Sequence, residues 1–158
     1  MEQLDTNGAE QVQDTHEKLL YAINPLWYTE HKVSLAHLTQ ARRCLQCQED
    51  GYAMPNSRGK RKKKAGSASI GSWEVEMAAI RRCCATKAGY ITPQTSLLEA
   101  IFRLLLQNEN QPSTDEELYE GIGKWWAGLE YLRELNLAQI RRLLAQQATY
   151  GVTAVSSR

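Results

Sequence analysis

Apolar residues recur along this chain mostly at the three-to-four-residue spacing of a helix face, interrupted by one long polar stretch. Asp14, with Glu17 three residues on, forms a capping box that predicts a short helix through Leu19, Leu20 and Ile23, punctuated by Asn24-Pro25. Pro25 suits the first turn of a second helix, expected to run to about Gln48 with Leu38, Ala41 and Leu45 on one face. Gly51 stops it. Between Ser72 and Lys87 the stripe Trp73, Met77, Ile80 and Cys84 predicts a further helix, ended by Gly89. Ser96 and Glu99 then cap a helix carrying Leu97, Leu98, Ile101, Phe102, Leu104, Leu105 and Leu106, too apolar to be exposed on any broad face.

After the turn QNENQP, Ser113 and Glu116 form another capping box, Asp115 and Glu117 complement the helix dipole, and Leu118 and Ile122 face inward. Gly121 and Gly123 are expected to loosen the backbone into a turn before a helix bearing Trp125, Leu129, Leu132 and Leu135. Beyond it two readings stand. Asn136 and Gln139 can cap a last helix over 137–147, with Leu137, Ile140, Leu143 and Leu144 at helical spacing; alternatively AQIRRLLAQ and ATYGVTAV are two strands.

The order in residues 92–155, a buried helix, a turn, the helix STDEEL, a glycine turn and a helix closing in GLEYLRELNL, resembles a winged helix-turn-helix domain. That resemblance covers about 60 residues and rests on patterning. It implies that LEYLRELNL closes a recognition helix and that the two strands form a wing. The fold class expected is therefore mainly α, with N-terminal helices plus a C-terminal helix-turn-helix unit, with or without a wing. Residues 1–12 read as a flexible N-terminus, 13–50 as a helical segment, 51–72 as a basic flexible loop, 73–90 as a helix and 91–155 as the winged-helix-like domain.

A chain of 158 residues, 42% hydrophobic and 23% charged, has the composition of an ordinary globular domain, and it holds no apolar run long enough to cross a bilayer. Its opening, MEQLDTNGAEQVQD, is unlike a signal peptide, so a cytoplasmic location is expected, or a nuclear one in a eukaryote or its virus. A formal net charge of +1 conceals segregation: residues 1–31 sum to −5, 32–89 to +8 and 90–158 to −2. Phosphates are drawn to such a centre because clustered cations displace their counterions.

The densest feature is Arg58 followed by Lys60, Arg61, Lys62, Lys63 and Lys64. This run suits backbone contact with DNA or RNA, a nuclear localisation signal, or a solvated loop; without interleaved aromatics it would position the protein rather than read bases. In the C-terminal half Lys124, Arg141 and Arg142 are the candidate nucleic-acid contacts, beside Arg133. They sit in an acidic unit, which leaves room for a helix-turn-helix that binds protein instead. At least one of Trp125 and Trp126 is expected in the core, with Trp126 the one left outside beside Lys124.

Cys44 and Cys47 in the motif CLQC, with Cys83-Cys84 further on, supply four thiols, enough for a zinc site. Adjacent cysteines diverge by about 100° on a helix, so both reach one ion only where the helix breaks. The competing reading is that Cys44 and Cys84 are small buried hydrophobes, and His37 can substitute for one thiolate. No P-loop, G-x-S-x-G or H-E-x-x-H motif occurs, and His16, His31 and His37 all lie in the N-terminal stretch, so no enzyme is expected. The function these features imply is a nucleic-acid-binding protein, first a DNA-binding transcriptional regulator; the alternative is a small subunit or adaptor of a nucleoprotein complex with protein partners.

Overall fold

The computed structural model describes residues 18–49, 72–128, 134–146 and 150–156. Among them the fold is mainly helical: β1 (Leu20–Ile23), α1 (Pro25–Glu30), α2 (Leu35–Gln40), α3 (Leu45–Glu49), α4 (Trp73–Arg82), α5 (Leu97–Gln107), α6 (Asp115–Trp126), α7 (Leu137–Ala145) and β2 (Val152–Val155). Helix α5 is the hub. Ile101, Phe102, Leu105 and Leu106 on it are fully buried, and α4 and α6 pack against it while α7 packs on α6. Ser96 N-caps α5 as expected, its Oγ accepting from Glu99 N at 3.3 Å. No helix among the described residues is long and apolar enough to cross a membrane.

Leu20–Ile23 is a strand rather than the expected helix, because its partner is remote. It pairs antiparallel with β2, Ile23 opposite Val152 and Leu20 opposite Val155. On its other side Tyr21 exchanges N–H···O bonds of 2.8 and 3.0 Å with Ser113, and the Asn110 amide imitates a third strand, accepting from Ile23 N at 2.7 Å and donating to Ile23 O at 2.9 Å. β2 therefore completes a sheet with a strand of the N-terminal segment, from outside residues 91–155. Gly151, at φ 59°, admits this crossing: a Cβ there would lie 2.7 Å from Tyr28 Cε2.

The helix expected from Pro25 to Gln48 is instead three short ones. At the end of α1, Val33 N reaches Tyr28 O and Lys32 N reaches Thr29 O, a Schellman closure with Lys32 at φ 55°. Ser34 then caps α2. A second interruption at 41–44 frees Arg42 to bind Glu99 through Nε and Nη2 at 2.8 and 2.9 Å, and Arg43 to bind Glu76 at 2.9 Å. These buried ion pairs with α5 and α4 outweigh the few local hydrogen bonds a continuous helix would add.

Two expectations for the C-terminal half also change. The capping box before α6 is Thr114 with Glu117, one residue later than Ser113 with Glu116, because the Ser113 backbone is engaged with Tyr21. More consequentially, α6 continues through Gly121 and Gly123 to Trp126, so the glycine turn of the expected helix-turn-helix is not formed. Gly121 serves packing: a Cβ there would sit 2.6 Å from Leu104 Cδ2 of α5. Residues 137–145 take the helical option, so AQIRRLLAQ is not a wing strand, while the other candidate strand pairs with β1. Leu129, Leu132 and Arg133 lie outside the described residues.

Candidate metal centre

The expected helix over 72–87 ends at Arg82, and the backbone change that ends it brings the cysteines together. Cys83 departs from helical geometry (φ −115°, ψ −65°), and Cys84–Thr86 forms a 3-10 turn, stabilised by Thr86 Oγ1 donating to Cys83 O at 2.7 Å. Across from it, Cys44 closes the break at 41–44 and immediately precedes α3, whose middle residue is Cys47. The sulfurs of Cys44, Cys83 and Cys84 all lie within 4.8 Å of one another. Cys47, fully buried, lies beside these three, its side chain interacting with those of Cys83 and Cys84. All four cysteines are free thiols.

The separation suits a metal. Two sulfurs bound to one tetrahedral zinc at about 2.3 Å stand about 3.8 Å apart; Cys44 Sγ and Cys83 Sγ are 3.7 Å apart. The N–H groups around the sulfurs suit thiolates. Cys44 N donates to Cys84 Sγ at 3.1 Å, Arg43 Nε to Cys47 Sγ at 3.2 Å and Lys87 Nζ to Cys44 Sγ at 3.0 Å, and the backbone of Cys47 bonds the Cys44 sulfur. Cysteines acting only as small buried hydrophobes would need no such convergence of donors.

Burial alone would raise the Cys44 thiol, but the Lys87 ammonium and the surrounding N–H and S–H groups lower it to about 6. Cys84 is pushed up to about 12, chiefly by burial, and Cys83 is raised for the same reason. A divalent ion bound here would displace protons from Cys83 and Cys84, whose thiols burial holds up. His37 takes no part: its ring is exposed and hydrogen-bonded to Ser34 Oγ at 2.9 Å. The condition set by the adjacent cysteine pair, a local break in the helix, is the feature the sequence could name but not place.

The candidate nucleic-acid residues fare unequally. Arg58 and Lys60 to Lys64 lie outside the described residues. Lys124 is exposed on α6, beside a groove lined also by Gln107, Gln111 and Trp125. Arg141 is paired with Asp115 and lies 3.9 Å from Glu116, so α6 holds the guanidinium. Arg142 is exposed on α7, near the first turn of α5. Trp126, expected outside, is buried, whereas Trp125 is half-buried and donates to Gln107 Oε1 at 3.0 Å. The functional residue that sequence pattern does not reveal is Lys87, which by spacing alone only marks a helix end. No protein family, curated protein or solved structure matches this chain.

Proposed function

We propose that this protein is a non-enzymatic, zinc-stabilised helical module that associates with nucleic acid through the basic run between its two cysteine pairs. The observation that carries the metal half of this reading is the convergence of four N–H donors on the sulfurs of Cys44, Cys47 and Cys84, the first and last of which are 40 positions apart. Cys44, Cys47, Cys83 and Cys84 would hold the ion, which supplies a cross-link between α3 and the end of α4 rather than a reactive centre, since four thiolates leave no open coordination position.

The nucleic-acid half rests on charge placement. Arg58, Lys60, Arg61, Lys62, Lys63 and Lys64 fall between Cys47 and Cys83, so a centre joining those cysteines anchors the basic stretch to the helical core on both sides. Such an arm favours phosphate contact over base reading.

A second reading, a protein-binding adaptor in a nucleoprotein complex, is favoured for the C-terminal half by one observation. Arg141, its central cation, is occupied by Asp115 on the acidic first turn of α6.

Metal analysis of purified reduced protein is expected to give about one zinc per chain, and none in protein that stays folded would defeat the metal reading. Alanine at Lys60, Arg61, Lys62, Lys63 and Lys64 is expected to weaken binding to duplex DNA, single-stranded DNA and RNA alike. The log–log salt slope should fall by about one for each phosphate that is no longer neutralised. An unchanged slope would remove the arm from the binding surface.

A further inference from the structure

Three cations besides Arg103 line a cavity of about 270 Å³ beside Cys44 and Cys84, and their partners distinguish them. Arg42 is held by the Glu99 carboxylate through two hydrogen bonds. Arg43 divides its guanidinium between Glu76 and Cys47. Lys87 has no carboxylate partner among the described residues: its ammonium donates to Cys44 Sγ at 3.0 Å and to Gln46 Oε1 at 2.8 Å. It also stands immediately after the 3-10 turn that presents Cys83 and Cys84, so one side chain ties the two cysteine pairs together from outside.

We propose that Lys87 is the positioning residue of the metal centre, fixing the Cys44 thiolate and lowering its reactivity once zinc is bound. This rests on the zinc reading above. Four thiolates around a divalent ion leave two net negative charges, and a cation in hydrogen-bond contact with one sulfur offsets part of that charge. The same N–H···S bond withdraws electron density from the Cys44 sulfur, which belongs to a half-buried residue, making it a poorer nucleophile toward electrophiles and a ligand less prone to leave the metal. Partners of metal ligands commonly alter affinity by about 10–100-fold when removed. Arg43 does the corresponding work at buried Cys47, where solvent and electrophiles have no access.

The test uses the full-length reduced protein, first measuring zinc content and then comparing wild type with K87M, K87Q and K87R. Zinc affinity is measured by competition with a chromophoric chelator, and the thiolate-to-metal charge-transfer band is recorded after cobalt substitution. Alkylation of Cys44 by iodoacetamide in the zinc-loaded protein is followed by mass spectrometry. In the neutral variants zinc binding is expected to weaken by about tenfold, the cobalt band to shift and Cys44 to be alkylated faster, with helical circular dichroism unchanged. K87R should restore the wild-type values. Two neutral variants are compared so that misfolding of either does not decide the result. Neutral variants matching wild type in affinity, band position and alkylation rate overturn the role of Lys87 while leaving the zinc reading intact. Wild-type protein without zinc overturns both, and is recognised before any substitution is made.

Discussion

Helix α5 buries seven of its eleven residues, whereas α2 and α3 together bury only Leu35, Thr39 and Cys47. Burying those apolar side chains holds α5 against the helices around it through the hydrophobic effect, at about 25 cal/mol per Å² removed from water. Helices of six and five residues with so little burial are far below the length at which helix formation sustains itself. Besides the packing of α2 on α4, these two helices are held by polar links to the core: Arg42 to Glu99, Arg43 to Glu76 and the cysteine cluster to the end of α4. Packing tolerates the loss of one partner gradually, while a metal cluster or buried ion pair fails when a single member is removed.

The sharpest way to break this comparison is to remove the proposed metal or its ligands. Chelation, or C83S with C84S, is expected to release α2 and α3 to rapid amide exchange while α5 and α6 stay protected, a split visible by hydrogen-exchange mass spectrometry. Structural zinc contributes on the order of 10 kcal/mol of binding free energy in small domains, so this should be the largest effect. Uniform loss of protection in all helices would mean that the core depends on the centre as well.

The second test addresses the ion pair. Glu99→Gln leaves the Arg42 guanidinium, which lies over the adjoining rings of Phe102 and Tyr150, without its carboxylate, and should cost about 3 kcal/mol in urea unfolding. Burial would raise the Glu99 carboxyl, but Arg42 and Arg103 outweigh it and hold it below the ordinary carboxylate range. Because the folded-state value is depressed, its stabilisation is complete above the unfolded value of about 4.3 and is lost as pH falls through the folded one. Wild type should therefore lose more stability than the Gln variant on acidification below about pH 4, and parallel acid titrations would refute the assignment. The smallest effect is expected inside the packed half. Gly121→Ala, whose new methyl meets Leu104, should destabilise by about 1–3 kcal/mol without changing zinc content.

Much of the helical core was legible because its signals are local. The Ser96 cap, the run of leucines after it and the helical spacing over 137–145 involve residues within a few positions of one another, and each appears where its spacing put it. The capping box at α6 was displaced by one residue because Ser113 is claimed by Tyr21, more than 90 positions earlier in the chain, an interaction without local trace. Gly121 and Gly123 look like a turn in sequence, and only the closeness of Leu104 distinguishes a packing glycine from a hinge.

By itself the sequence determined the helical class, four thiols in two pairs and a cationic stretch between them, since composition and short-range spacing suffice for these. Tertiary structure decided that Leu20–Ile23 is a strand, that the second helix becomes three and that α4 stops at Arg82 so that Cys83 and Cys84 meet Cys44. In each case the balance between two nearly equal local conformations is settled by a partner far along the chain. Such a partner contributes a kilocalorie or more through a hydrogen bond or ion pair, while the local alternatives differ by less.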